Sequence, residues 1–450
     1  MHRTTWFLGA LALSLMMGLT PGGPAAEAAE AAEEAVETKA DPALVERVHR
    51  ILREVPLVDG HNDVPWEFRQ RVSNHLDKLD LSQDTRKLEK PMMTDVARLK
   101  QGGVGGQFWS VYIPVELSGP QAVGTVMEQI DVVHRLAERY PDVFEIATTA
   151  ADVERIHKAG KIASLIGMEG GHSINNSLGV LRQLYAAGAR YMTITHSKNN
   201  DWADSGTDAP KHGGLTPFGE EVVREMNRLG MLVDLSHVSP DTMQDAMAVS
   251  EAPVIFSHSS TRALDAHPRN APDEILRKLP EDGGVVMVTF VPSFVSEEVR
   301  AWNAVQDAEE ARLKALQPDS PDAVKSGLEA WTKAHAEPRA TLSQVADHIE
   351  HVRQVAGIDH VGIGSDFDGI TSTPVGLDGV EDYPDLLAEL LRRGWTDEEI
   401  KKLAGENVLR VMREVEAVSA RLRKDRPASD ALIQELDGPP PAAPAPGGGR

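Results

Sequence analysis

The 450-residue chain contains no cysteine. That excludes disulfides, thiolate metal sites, cysteine nucleophiles, iron–sulfur clusters and a lipid-modified N-terminal cysteine. Any metal must be held by His, Asp and Glu, a donor set that suits catalytic rather than Cys-type structural sites. Positive charge is scarce: 46 Lys and Arg stand against 69 Asp and Glu, a formal charge of −23 without a basic block. This argues against nucleic acid or an anionic membrane surface as the main partner. Long hydrophobic runs are also missing, apart from Trp6–Leu19 with 14 residues. A membrane-spanning helix needs about 20. With Arg3 before it and small residues after it, this run reads as an export signal over residues 1–28, cleaved within Ala25–Ala32. The expected location is periplasmic or secreted, with no stable membrane anchor after cleavage.

What is present is enough apolar sequence, 41%, to bury a sizeable core. An Ala/Glu-rich linker is expected over 29–41, and a Pro/Ala/Gly-rich, disordered tail over 426–450. Between them, residues 42–425 read as one domain. Eight short apolar runs predict strands at Pro56–Gly60, Gly106–Ile113, Ile162–Met168, Tyr191–Thr195, Met231–Leu235, Pro253–Phe256, Gly284–Phe290 and His360–Gly364. Stretches of helical period separate them. Continuous rather than alternating apolar runs mark buried parallel strands, which need crossover helices. Eight such units predict the α/β class and a single (β/α)8 TIM-type barrel. The rival, a doubly wound open sheet, loses its commonest motive because no Gly-x-Gly-x-x-Gly follows the first strand. Ser296–Arg339, charged and helical in pattern, is a helical insertion between strands seven and eight. It is either an exposed excursion or a cover over one edge of the barrel mouth.

Most strands run into a polar, metal-capable residue. The ends read Asp59-Gly-His61-Asn-Asp63, Glu169-Gly-Gly-His172, His196-Ser-Lys, Asp234-Leu-Ser-His237, Ser257-His258 and Ser365-Asp366-Phe-Asp368. In a barrel these ends converge on one face. His61 and Asp63 are two apart, so in an extended segment both project to the same side and can grip one cation. His237 and His258, from neighbouring strands, can hold a second, and Glu169 can bridge the two with its two oxygens. Two such cations deprotonate a shared water near neutral pH and polarise a carbonyl, which suits hydrolysis. His172, Asp59 and Asp368 read as supporting groups rather than ligands. His49, His75, His134, His157, His335, His348 and His351 fall in helical patterns and are expected in solvent. Trp202, Phe290 and Phe294 either line a pocket or pack.

These motifs resemble the membrane (renal-type) dipeptidase family, peptidase family M19, among the amidohydrolase-type barrels. The likeness lies in Val58-Asp-Gly-His-Asn-Asp-Val-Pro-Trp66, Gly167-Met-Glu-Gly-Gly-His-Ser173, Thr195-His-Ser-Lys-Asn199, Val233-Asp-Leu-Ser-His-Val-Ser239, Val254-Ile-Phe-Ser-His-Ser-Ser260 and Val361-Gly-Ile-Gly-Ser-Asp-Phe-Asp-Gly369. Gly405-Glu-Asn-Val-Leu-Arg-Val411 matches a helical, structural segment. The resemblance implies two Zn2+ ions per chain, one on His61, Asp63 and Glu169, the other on Glu169, His237 and His258. It further implies that His196 binds the substrate carbonyl, Arg269 binds the substrate's C-terminal carboxylate, and Asp366 contacts the substrate amine and manages protons.

The expectation is therefore an exported, zinc-dependent dipeptidase that hydrolyses dipeptides through a metal-bridging hydroxide. Its partner is a dipeptide substrate, and a homodimer is left open. The alternatives are hydrolysis of N-acyl amino acids or lactams on the same site, or an inactive periplasmic binding relative.

Overall fold

The computed structural model describes residues 40–438. The expected export signal, the linker except Ala40 and Asp41, and the last twelve residues lie outside the described residues.

Eight strands are found where apolar runs predict them: β1 (Leu57–Asn62), β2 (Val104–Tyr112), β3 (Ile162–Glu169), β4 (Ala189–Thr193), β5 (Leu232–Asp234), β6 (Ile255–Phe256), β7 (Val285–Val288) and β8 (Val361–Ile363). All neighbours are parallel. The ring runs β2-β1-β8-β7-β6-β5-β4-β3 and closes by pairing β2 with β3, from Gly106 opposite Ala163 to Tyr112 opposite Glu169. This is a (β/α)8 barrel. Its strands are buried along their whole length in β3 and β7, as continuous Val, Ile, Leu and Met runs require. A further short strand, Phe144–Ile146, pairs with the start of β3 outside the ring. Three residues are too few to show a period in sequence.

Helix starts are set by local chemistry. Thr216 caps Pro217–Leu229 by accepting from the Gly219 N–H, and Gly230, in the left-handed region, ends it. Thr341 and Gln344 form a reciprocal capping box on Leu342–Ala356. At the end of the barrel away from the strand termini, Gly405 lies so close to β1 that a Cβ there would sit 2.1 Å from the Pro56 carbonyl oxygen. Beside it Asn407 donates to the carbonyls of Ile358 and Val361 at 2.7 and 2.9 Å. The Gly405–Val411 segment thus locks the base of the barrel.

One boundary differs from the sequence reading. Residues 426–438, placed in a disordered tail by composition, are packed. Arg182 donates to the Ser429 carbonyl at 2.8 Å, and Asp437 accepts from the Phe218 N–H at 3.0 Å and the Thr216 hydroxyl at 2.6 Å. Asp437 thereby adds a negative charge to the N-terminus of Pro217–Leu229. The insertion forms two helices, Glu297–Leu316 and Pro321–Ala334, joined through Trp302 and Trp331, whose rings lie 5.5 Å apart. None of its residues lines the cavity at the barrel mouth. Its root braces a neighbouring loop instead: Glu297 accepts from the Ala266 N–H at 3.2 Å, and Arg300 faces Asp265 at 3.9 Å.

Candidate active site

The ends of β1 and β8 are knitted together by backbone bonds from Asp63 N–H to the Phe367 carbonyl and from Asp366 N–H to the His61 carbonyl, at 3.0 and 3.1 Å. This brings His61, Asp63 and Asp366 into one cluster. Beneath it, buried Asp59 accepts from Ser365 N–H and Oγ, Gln107 and Tyr383 at 2.7–2.9 Å. It ties the ends of three strands together. His237 and Asp366 have left-handed backbone, φ 72° and 68°. Such a conformation is uncommon outside glycine and is tolerated best by His, Asn and Asp. A Cβ at Gly369 would lie 2.3 Å from Asp63 Oδ2 and 2.5 Å from Asp366 Oδ1, so only glycine leaves both carboxylates their space.

Glu169 stands at the centre with its two oxygens divided. Oε1 faces His237 Nε2 at 3.0 Å, His258 Nε2 at 3.5 Å and His196 Nε2 at 3.6 Å. Oε2 faces His61 Nε2 at 3.6 Å and accepts from Ser110 at 3.3 Å. His61 Nε2 also lies 3.4 Å from Asp63 Oδ2, and His237 and His258 meet Nε2 to Nε2 at 3.0 Å. In a tetrahedral site with metal–ligand bonds near 2.0–2.1 Å, ligand atoms sit about 3.3 Å apart. The spacings among Glu169 Oε1, His237 and His258, and those from His61 to Glu169 Oε2 and to Asp63, lie near that edge. His61 Nε2 and Asp63 Oδ2 are moreover buried without hydrogen-bond partners among the described residues. The donor set and the orphaned atoms fit two cations.

The hydrogen bonds behind two of these histidines turn Nε2 lone pairs inward. Tyr191 donates to the Gly60 carbonyl at 3.2 Å, so its oxygen accepts from His61 Nδ1 at 2.8 Å. Ser257 donates to Asp234 at 2.6 Å and accepts from His258 Nδ1 at 2.8 Å. Both histidines are then Nδ1–H tautomers with Nε2 free for a metal. Asp234 also accepts from Thr193 and from the backbone of Ser236 and Ser257. Sequence reasoning followed metal-capable strand ends and missed Tyr191 and Ser257 as supports, although a serine directly before His258 was the signal for one.

Burial holds His237 and His258 well below the ordinary histidine range, which keeps them neutral. Burial also opposes a proton on His61, but Tyr191, Glu169 and Asp63 outweigh it and raise that ring. Burial raises Glu169, yet His61, His196 and His237 hold it well below the carboxylate range. Asp366 is pushed well above that range by burial, with Asp63 and Glu169 adding to the effect. The cluster is an excess of buried negative charge and lone pairs, which is what a cation relieves.

A cavity of about 510 Å³ opens over these groups, lined also by Trp66, Tyr112, His196, Arg269, Val291 and Phe294. Arg269 is 4% exposed, and burial pushes its guanidinium down to about 10. It donates to the His258 carbonyl at 3.3 Å and lies 5.3 Å over the Phe294 ring, but Nη1 has no partner among the described residues. The nearby acids are engaged elsewhere: Asp273 with Arg277 and His351, Asp265 with the His267 N–H. His196 Nδ1 pairs with the Ser197 hydroxyl at 3.2 Å, and its Nε2 is directed at the cavity, 3.6 Å from Glu169 Oε1. Tyr112 lines the cavity too. Burial, with Glu169, Glu116 and Asp63, pushes its phenol up to about 12.

His172 bonds the Pro114 carbonyl at 3.2 Å, and Asp368 accepts from the Met93 N–H at 2.7 Å, both in loop-shaping roles. Trp202 and Phe290 are core, while Phe294 lines the cavity. His348, expected in solvent, is 1% exposed, and its Nδ1 accepts from the Thr261 N–H at 3.1 Å.

A closed parallel barrel whose strand ends gather histidines and carboxylates around one central glutamate defines a metal-dependent hydrolase. Residues 45–426 match the membrane dipeptidase family, peptidase family M19, and the chain belongs to that family. It is thus a metallo-dipeptidase. It is 43% identical over 386 residues to dipeptidase verJ of Clonostachys rogersoniana, a match covering 83% of this chain and 88% of that protein. Its fold superposes with a TM-score of 0.71 on the probable dipeptidase PvdM from Pseudomonas aeruginosa, at 26% identity, covering 84% of this chain and 100% of that one. A metallo peptidase from Rhodobacter sphaeroides, liganded with a phosphinate mimic of the dipeptide L-Ala-D-Ala, shares the fold at a TM-score of 0.66 and 24% identity, covering 80% and 99%.

Proposed function

We propose that this is an exported dipeptidase working with two zinc ions per chain. The observation that carries the metal assignment is the division of Glu169: one oxygen faces His237 and His258, the other faces the His61–Asp63 side. His61, Asp63 and Glu169 would hold one ion, and Glu169, His237 and His258 the other. When bound, such ions supply Lewis acidity toward the scissile carbonyl and the attacking water.

The chain's own residues supply the rest. The free side of the Arg269 guanidinium takes the substrate's C-terminal carboxylate in a charge-assisted bond. His196 presents Nε2–H to the carbonyl oxygen. Asp366, beside His61 and Asp63, contacts the substrate amine and returns a proton to the leaving nitrogen. Export rests on the signal-like N-terminus. Elemental analysis should approach two zinc ions per chain, and the metal-loaded protein should cleave a dipeptide but neither a tripeptide nor an N-acyl amino acid. Preference for the N-acyl amino acid would move the assignment to another amidohydrolase-type activity. No turnover with both ions bound would make it a binding relative.

A further inference from the structure

The second strand ends in no metal-capable group, yet its last residue reaches the cavity. Tyr112 closes β2 directly opposite Glu169 in the parallel register. Its ring is wedged between Trp66, met edge-on at 4.8 Å, and His196 at 5.0 Å. Three of the five tyrosines have committed hydroxyls: Tyr140 to Asp80, Tyr191 to Gly60 and Tyr383 to Asp59. The Tyr112 hydroxyl has no hydrogen-bond partner among the described residues, although its ring lines the cavity beside Glu169, His196 and Asp366. A phenol held this firmly with its donor left free is prepared for a group that arrives with the substrate.

The surroundings say which group. Asp63, Glu169 and Asp366 bring acceptors to the cavity wall, and negative charge developing on the substrate needs donors. The donors lining it include Arg269, His196, Tyr112, Trp66, Gln70 and Thr371, of which His196 and Tyr112 stand beside Glu169. Under the function proposed above, on which this inference rests, Arg269 is engaged by the carboxylate. His196 and Tyr112, ring against ring, remain for the oxygen that gains charge as the carbonyl becomes tetrahedral. We infer that Tyr112 is a catalytic residue whose hydroxyl donates to that oxygen beside His196.

Tyr112→Phe keeps the ring between Trp66 and His196 and removes only an unpartnered hydroxyl, so the fold and metal content should stay unchanged. Loss of one donor of this kind lowers kcat by up to roughly 10²–10³-fold. For a neutral phenol sharing the task, kcat should fall roughly ten- to a hundred-fold while KM moves less than about threefold. Affinity for a phosphinate dipeptide mimic, whose tetrahedral centre carries the charge, should fall by the same factor as kcat/KM, measured by calorimetry. An unchanged kcat, a loss confined to KM, or loss of metal from the variant would each overturn the assignment and leave Tyr112 a wall or a support. Normal wild-type turnover beside an unaffected variant overturns this inference alone. A wild type that cleaves no dipeptide overturns the proposed function with it.

Discussion

Under the proposed function, Arg269 limits the substrate to two residues by holding its C-terminal carboxylate. The side chain is buried, touches one backbone carbonyl and meets no carboxylate within ion-pair distance among the described residues. Its descent to about 10 from 12.5 corresponds to about 3 kcal/mol against the charged form. An incoming carboxylate recovers part of that, and a hydrogen bond to a charged group is worth about 1.5–3 kcal/mol. Arg269→Lys keeps the charge but loses the fork and the stack on Phe294. It should therefore lower kcat/KM for a dipeptide by roughly ten- to a hundred-fold. Amidating the substrate's C-terminus should cost the wild type about as much. The amidated substrate on the variant should be little worse than either change alone, because both remove one contact. Steady-state kinetics on the four combinations settles it. Equal turnover of free and amidated dipeptides by the wild type would refute the reasoning and return Arg269 to a structural role.

Glu169→Gln should lose most of the metal and all measurable turnover, read by elemental analysis and assay; retention of both ions would refute the bridge. Asp366→Asn should keep the metal and lower kcat by roughly 10²–10⁴, and a variant that loses metal would make Asp366 a ligand. Chelation should lower the melting temperature and added zinc should restore it, since ions that bind only the native state stabilise it. His348 carries a pH prediction. Burial depresses it to about 4 from 6.5, so unfolding takes up a proton between those values. Stability is lost as pH falls from about 6.5 to about 4 and levels off below, by about 3 kcal/mol in all. In urea melts at neutral and acid pH, His348→Gln should show that much less acid loss than the wild type.

The barrel and the polar residues its strand ends bring to the mouth were legible because both lie in short-range pattern, whereas Arg269, on a loop, entered only through the family resemblance. Buried parallel strands are apolar on both faces, and a strand that ends His-x-Asp or Ser-His announces what it carries to the mouth. What escaped was set by packing. His348 lies three residues after Val345 and four before Val352, on the apolar stripe of its helix, so the wheel itself places it inside. Charge type suggested solvent, and position won. Residues 426–438 have a composition that cannot build a core, but Asp437 needs only two donors at a helix start to hold it. Tyr112 escaped because the search followed metal donors, and a phenol at a strand end reads as packing until the cavity beside it is seen.

The brace at the insertion's root has a geometric consequence. The metal-capable side chains hang from strand ends fixed by the barrel's own ladder. Arg269 hangs from a loop positioned from the other side: Asn270 donates to the Phe294 carbonyl at 2.8 Å, Glu297 holds Ala266, and His348 pins Thr261. Under the proposed function, the two ends of the substrate would thus be gripped by parts of the chain with separate supports. The gap between them works as a ruler with one fixed jaw and one adjustable jaw. Under the proposed function, changes near the insertion's root would reset the length the enzyme accepts while leaving the strand-end cluster in place.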